Sequence, residues 1–321
     1  MKTIISNKIY YRNAPIRSLD ALAKALGISK DALLQIAASG HSLYQRPKTC
    51  TTKSDKTVRD TWSVRQPLRG IQDAIKNFIL SGVSFPRYIT GSIKGGDYKA
   101  NAAPHVKAAI IITEDIADFF PSTTEENVYQ IWRNVFGFAD DVSRCLAMLT
   151  TKDGFLPQGA PTSSYLANIV FWKHEPKFSE WAAARKLIYT RYVDDITLSS
   201  RLVISKNDKT EIVSAIHEFA NRAGLRLKRK KHQIATQSDL MIVTKLHVNG
   251  RTPTLSQTER SRIRSAVREC ETIARIDPVN INLAKKISSA VGRVGKLKRF
   301  HQKEATPLLA RLKTVRIKIG Q

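Results

Sequence analysis

The sequence predicts a mixed α+β fold, and three observations lead there. Short apolar runs bounded by Gly and Pro alternate with stretches of helical spacing, without the regular period of a doubly wound parallel sheet. The chain has 321 residues, 42% of them hydrophobic, enough for one large core or two to three coupled subdomains. No internal repeat or low-complexity linker breaks it, and its last part is helical and strongly basic.

Residues 18–39, SLDALAKALGISKDALLQIAAS, read as two short amphipathic helices broken at Gly27-Ile28-Ser29, with Ser18 and Ser29 as N-caps. The pair also fits a helix-turn-helix, but its second helix offers only Lys30 to phosphate. Residues 49–65 are polar and basic and read as a twisted hairpin or loop pair. QPLRGIQDAIKNFILSGV has helical spacing through Ile71, Ile75, Phe78 and Ile79 and ends at Gly82. Residues 86–107, with Gly91, Gly95, Gly96 and Pro104, read as loop.

AAIIITEDIADFFPS is a short apolar strand that runs into acids and stops at Pro121; helices follow near 124–135 and 140–149. DGFLPQGAPTSSYLANIVFWKHEP is a Gly/Pro loop opening into a helix capped near Thr162 or Ser163. KLIYTRYVDDITLSS alternates apolar residues on both sides of an aspartate pair, as a strand–turn–strand hairpin does. A helix near 209–223, the basic cluster RLKRKK at 226–231 and an apolar strand LMIVTKLHV come next. Beyond Pro253 the chain reads as basic helices, and from Lys285 onward eleven Lys/Arg face a single acid, Glu304.

Charge narrows the function. With 53 Lys+Arg against 27 Asp+Glu the formal net charge is +26, a self-repelling excess that calls for a polyanionic partner, nucleic acid first. Cys50, Cys145 and Cys270 lie far apart with no paired spacing, which argues against a disulfide framework or a zinc site. No stretch suits a signal peptide and no eighteen apolar residues run together, so the expectation is a cytoplasmic protein with no membrane partner.

Asp194 and Asp195 sit where an ordinary Asp-rich turn is the alternative reading. Asp115, closing its own apolar strand, changes the balance, because a mixed sheet can bring it beside the hairpin. Three carboxylates at strand ends form a hard-oxygen site suited to Mg²⁺, and two such ions support in-line phosphoryl transfer. With the basic excess, this points to nucleotidyl transfer or nucleolysis.

EDIADFFPS (114–122), LPQGAPTSSYLAN (156–168) and YVDD (192–195) stand in the order and at roughly the spacing of reverse transcriptases, and the chain resembles their group II intron and retron branch. NAAPH (101–105) matches the Asn-Ala-x-x-His signature of retron enzymes, and the compact length is similar to theirs; the likeness runs from about Lys56 through the basic helices. It implies a right-hand polymerase with a ferredoxin-like palm: an N-terminal helical region at 1–48, fingers at 49–107, palm with inserted fingers helices at 108–250, and thumb at 251–321.

Carried over residue by residue, the resemblance gives the two Mg²⁺ ions to Asp115, Asp194, Asp195 and the Ile116 carbonyl. It places Phe120 as a steric gate under the sugar and Gln158 against the nascent pair; core packing is the alternative for Phe120 and the preferred reading for Phe119. Lys56 and Arg59 fall in the triphosphate clamp, with solvated surface charge the alternative for Lys56, and Lys231 falls near the nucleotide. Departures flank Lys231: Lys228 replaces an asparagine and His232 a threonine. Tyr192 would pack near the primer end or in the core, and Asn101 and His105 would order a loop or contact RNA. Lys245 replaces the glycine of the usual Val-Thr-Gly and would contact phosphate. Thumb residues including Arg260, Arg262, Arg264, Arg268, Lys285, Lys286, Lys296, Lys298 and Arg299 would line the template–primer duplex, some of them only as a solvated face.

The implied activity is RNA-directed DNA synthesis on a structured noncoding RNA, primed from an internal guanosine 2′-OH and leaving a branched hybrid (msDNA) on the protein. The implied setting is anti-phage defence beside a separate effector protein. Ordinary 3′-OH priming is the rival within the enzyme class. A non-catalytic RNA- or DNA-binding scaffold or regulator is the rival outside it.

Overall fold

A computed structural model describes residues 7–49 and 58–318, which form two compact units. The first comprises residues up to 101 and 109–234, the second 102–108 and 235 onward. The first unit opens with strand β1 (Tyr10–Tyr11) and helices α1 (Leu19–Leu26) and α2 (Lys30–Ser39). Ser18 and Ser29 cap these as expected, each side-chain oxygen accepting from the N–H three residues on. Lys30 is paired with Asp20 at 3.0 Å, which uses the only basic residue of the supposed recognition helix.

Strand β2 (Tyr44–Gln45) pairs with β3 (Ser63–Val64), so the expected hairpin region closes on an earlier strand. Helix α3 (Leu68–Ala74) continues into a wide π-type turn at Ile75–Ile79 and a tight turn at Leu80–Gly82 before β4 (Val83–Ser84), which pairs with β1. The wide turn corrects one expectation. Ile71, Ile75 and Ile79 are buried, but the extra residue per turn swings Phe78 out to 67% exposure. Residues 86–107 are not all loop, since α4 (Tyr98–Ala102) forms within them.

β5 (Ile110–Asp115) is apolar on both faces because both are covered; Ile110, Ile111 and Ile112 are all buried. α5 (Phe119–Ser122) carries the chain through Pro121 rather than stopping there. α6 (Glu125–Gln130) starts at a Thr124–Asn127 capping box, and α7 (Asp140–Thr150) follows. α8 (Ser163–Ile169) opens after the Gly/Pro loop, and α9 (Glu175–Ala184) is an element the apolar spacing did not announce. β6 (Ile188–Tyr192) and β7 (Asp195–Ser200) make the hairpin, α10 (Lys206–Arg222) is capped by Ser205, and β8 (Gln233–Thr236) completes a four-stranded sheet of order β6–β7–β5–β8. One hydrophobic core runs through this unit, from Ile9 to Leu227.

In the second unit the expected long strand is a tight hairpin, β9 (Ile242–Val243) with β10 (Leu246–His247). Thr244 and Lys245 turn it at φ +45° and +66°, both in the left-handed region that two-residue hairpins of this hand require. That is the physical reason a glycine suits position 245. Three helices follow, α11 (Gln257–Ile276), α12 (Leu283–Lys298) and α13 (Gln302–Lys318). Ile263, Val267 and Cys270, Ile287, Val294 and Leu297, and Leu308, Leu312 and Val315 form their shared apolar stripe at helical spacing. Among the described residues no helix is long and apolar enough to cross a membrane. Cys145 and Cys270 are buried free thiols; Cys50 lies outside the described residues.

Candidate active site

β5 and β7 run antiparallel with Asp115 directly opposite Asp195, and β6 returns Tyr192 opposite the same Asp195. Asp194 sits in the two-residue turn between β6 and β7. The Ile116 N–H donates to the Asp194 carbonyl at 3.1 Å, stitching the turn to the end of β5. The sheet therefore gathers the three aspartates that lie far apart in sequence. Like charges directly opposite destabilise a strand pair, and these carboxylates respond. Burial, then the neighbouring charge of Asp115, raises the Asp194 carboxyl above its ordinary range. Burial, then Asp194 and Asp115, lifts Asp195 to about 7.

The basic cluster comes back to this point. The Lys228 N–H donates to the Asp115 carbonyl at 2.7 Å and the Ala117 N–H to the Arg226 carbonyl at 2.8 Å, so residues 226–228 form a short antiparallel bridge beside the end of β5. The tight turn Arg229–Lys231 then lays the Lys231 ammonium on the Asp115 carboxylate. Desolvation works against that ammonium, but the hydrogen bond to Asp115 and the charges of all three aspartates outweigh it and raise its pKa. His232 contacts the buried Glu114 carboxylate, which gives the unexpected residue after Lys231 a structural partner. Among the described residues no three acidic, histidine or cysteine side chains are already spaced as a complete cage. The donor set nevertheless suits a hard divalent cation, which characteristically takes only one or two carboxylates and completes its shell with water and substrate phosphate.

Phe119 is buried and stacks on Phe171, ring centroids 5.8 Å apart, while Phe120 keeps part of its ring exposed. Gln158 is half-buried, and its carbonyl accepts from the Trp62 N–H at 2.8 Å. Gly159 beside it has φ +104°, and a Cβ there would stand 2.7 Å from the Trp62 carbonyl, so PQG needs its glycine. Arg59 is exposed and its charge lowers the Asp194 pKa, the least of the effects acting there; Lys56 lies outside the described residues. Tyr192 is half-buried, its hydroxyl pKa raised by burial and then by Asp97 and Asp195.

Other expected contacts are placed differently. Asn101 and His105 have no exposed surface, so the RNA-contact reading gives way to the loop-ordering one. Thr90 donates to Asn101 Oδ1 at 2.7 Å. Burial pushes the His105 imidazole down to about 3, so it stays neutral. Lys245 is exposed at the tip of its hairpin. Arg260 and Arg264 both grip Glu304, and Lys296 holds Glu259 at 2.9 Å, so these thumb cations already have carboxylate partners while remaining partly exposed. Arg299 is exposed at the end of α12.

The residues that hold the aspartate turn were not foreseen. Val193 has φ +60°, unfavourable for a β-branched side chain. Arg191 Nη1 donates to the Val193 carbonyl at 2.9 Å, and Nη2 to the Asn168 carbonyl at 2.8 Å. The same guanidinium bonds both Glu175 oxygens, at 2.6 and 2.9 Å, with both side chains wholly buried. Asn168 in turn donates to the Gly91 carbonyl at 2.7 Å, and a Cβ on Gly91 would meet the Val193 N at 2.7 Å. The only sequence signal was an arginine inside an otherwise apolar strand.

The family profile described as reverse transcriptase (RNA-dependent DNA polymerase) matches residues 52–260. Retron Se72 reverse transcriptase of Salmonella heidelberg (strain 579083-10) is 34% identical over 268 residues, which cover 83% of this chain and 70% of that protein. Retron Ec48 reverse transcriptase of Escherichia coli is 31% identical over 310 residues, covering 91% of this chain and 74% of its own. Retron Ec86 reverse transcriptase, also of Escherichia coli, is 31% identical over 186 residues, 58% of each chain. With three aspartates at paired strand ends and motifs in matching order, the chain belongs to the retron-type reverse transcriptases and is an RNA-directed DNA polymerase of right-hand fold.

Proposed function

We propose that this polymerase copies part of a structured noncoding RNA encoded beside it, starting from the 2′-OH of an internal guanosine and leaving a branched RNA–DNA hybrid on the protein. The observation that carries the catalytic part is the convergence of Asp115, Asp194 and Asp195 at paired strand ends, with the last two carboxyls raised by burial and mutual repulsion. The retron names of its relatives support the rest.

Asp115, Asp194, Asp195 and the Ile116 carbonyl would hold two Mg²⁺ ions, which supply charge neutralisation at the attacking and leaving oxygens. In each addition the primer hydroxyl oxygen bonds to the α-phosphorus of the incoming nucleotide, the bond to the bridging oxygen breaks, and pyrophosphate leaves. Arg59, with Lys56, takes the triphosphate; Gln158 meets the base; the Phe120 ring under the sugar excludes a ribose 2′-OH. Lys231, on Asp115 in this structure, is the cation best placed to move from carboxylate to nucleotide phosphate. Tyr192 lies at the primer end, Lys245 and Arg299 bind phosphate, and Arg260, Arg264 and Lys296 do so with charge left over from their acid partners. A separate effector in anti-phage defence completes the reading.

The test is to express the gene with its flanking DNA, purify the protein and run its bound nucleic acid on a denaturing gel before and after RNase and a 2′,5′-debranching enzyme. A discrete DNA whose mobility shifts on debranching is expected. Activity only on added primer–template would replace 2′-OH with 3′-OH priming. Asp194→Asn with Asp195→Asn should abolish synthesis and leave RNA binding in place; surviving synthesis would remove the aspartates from catalysis.

A further inference from the structure

Trp62 stands between the segment that carries Arg59 and the loop that carries Gln158. Its backbone N–H donates to the Gln158 carbonyl, and its own carbonyl is approached so closely by Gly159 that a Cβ there would sit 2.7 Å away. Two cations lie over its half-buried ring, Arg46 Cζ at 4.0 Å and Lys152 Nζ at 4.1 Å from the centroid. Each is tied further: Arg46 pairs with Asp60, and the Lys152 backbone exchanges hydrogen bonds of 2.7 and 3.0 Å with Phe155. One side chain thus joins three stretches, the end of β2, the approach to β3 and the 152–159 loop. The negative face of an indole attracts cations, and core packing alone would not collect two of them on one ring.

We infer that Trp62 is a positioning residue for the incoming nucleotide, registering Gln158 on the base side against Arg59 on the triphosphate side. This rests on the proposed nucleotide contacts of those two residues. A contact group shifted out of register loses part of its hold on the incoming nucleotide, so Trp62 should govern nucleotide KM. Primer–template affinity, made over a wider basic surface, should not depend on it.

The test is extension of a DNA primer on a defined RNA template by the full chain, measuring KM for dNTP, kcat, primer–template Kd and Tm. Trp62→Ala should raise KM on the order of tenfold with kcat and Kd within about twofold. Trp62→Phe keeps an aromatic face for the cations and should recover most of the loss. Gly159→Ala pushes on the Trp62 carbonyl and should reproduce the KM rise. Arg46→Ala with Lys152→Ala, which spares the ring and serves if Trp62→Ala fails to fold, should raise KM in the same direction. An unmoved KM in these variants, or a loss of kcat, Kd and Tm together that phenylalanine does not repair, would overturn the inference. Gln158→Ala separates the failures. If it raises KM and the Trp62 variants do not, the positioning role alone falls; if it leaves KM unmoved, the nucleotide role of Gln158 falls with it.

Discussion

Two bidentate arginine–glutamate pairs in this enzyme have nearly the same geometry and opposite settings. In the catalytic unit, Arg191 bonds Glu175 at 2.6 and 2.9 Å with neither side chain exposed. In the thumb, Arg311 bonds Glu271 at 2.7 and 2.6 Å with 45% and 33% of the side chains exposed. Burial works against the Arg191 guanidinium, yet the Glu175 carboxylate, which also accepts from the Tyr189 hydroxyl at 2.7 Å, keeps it charged. Removing one partner there strands a charge in the core, whereas in the thumb water takes the partner's place. The buried pair also has a task, since the guanidinium that bonds Glu175 also holds the Val193 carbonyl of the turn that carries Asp194.

Breaking each pair tests this comparison. Glu175→Gln should destabilise the protein by about 3–5 kcal/mol and lower polymerase activity with it, read by denaturant unfolding and primer extension. A loss below about 1 kcal/mol would put the buried pair on a level with the exposed one. Replacing both partners, Arg191→Met with Glu175→Leu, should recover much of that stability but not activity, because no donor remains for the Val193 carbonyl. Recovered activity would show that the turn does not need Arg191.

A second test concerns the carboxylates the turn presents. The Asp195 pKa is raised from 3.8 to about 7 in the folded protein, so between those values the folded state holds a proton that the unfolded state releases. Stability from this group is therefore full below about pH 4, falls as pH rises toward 7, and is level above. In metal-free protein the Tm of Asp195→Asn minus that of the wild type should grow across this window by several degrees. Mg²⁺ should narrow the gap at pH 8 more than at pH 5, and a gap independent of pH would remove the carboxylate repulsion from the account. The smallest effect belongs to the thumb: Glu271→Gln should cost under about 1 kcal/mol, with unchanged activity. A larger loss would mean that partial exposure screens the thumb pair less than supposed.

Much of the site was legible because its chemistry is local. Asp115, Asp194 and Asp195 each end or turn an apolar strand, and a strand's alternation and length can be read without its neighbours. The caps at Ser18 and Ser29 and the stripe of the thumb helices were legible for the same reason, since each depends on residues only a few positions away. Phe78 and the hairpin at 242–247 were misread because one extra residue in a turn, or two left-handed residues, reverses which side chains face inward.

Sequence by itself determined the α+β class, the order of motifs, the aspartates and the sign of the surface charge. All of these follow from residue type, spacing and sum. Only the tertiary structure decided which charged and polar groups are used up inside the protein. Burial decides between the loop-ordering and RNA-contact readings of Asn101 and His105, and Arg191 meets its partner Glu175 sixteen residues away. Arg260 and Arg264 share Glu304 across two helices, a pairing that their own spacing does not announce. Whether a charge faces water, a partner or a ligand depends on desolvation and on distances across the fold, and neither is written in the spacing of residues along the chain.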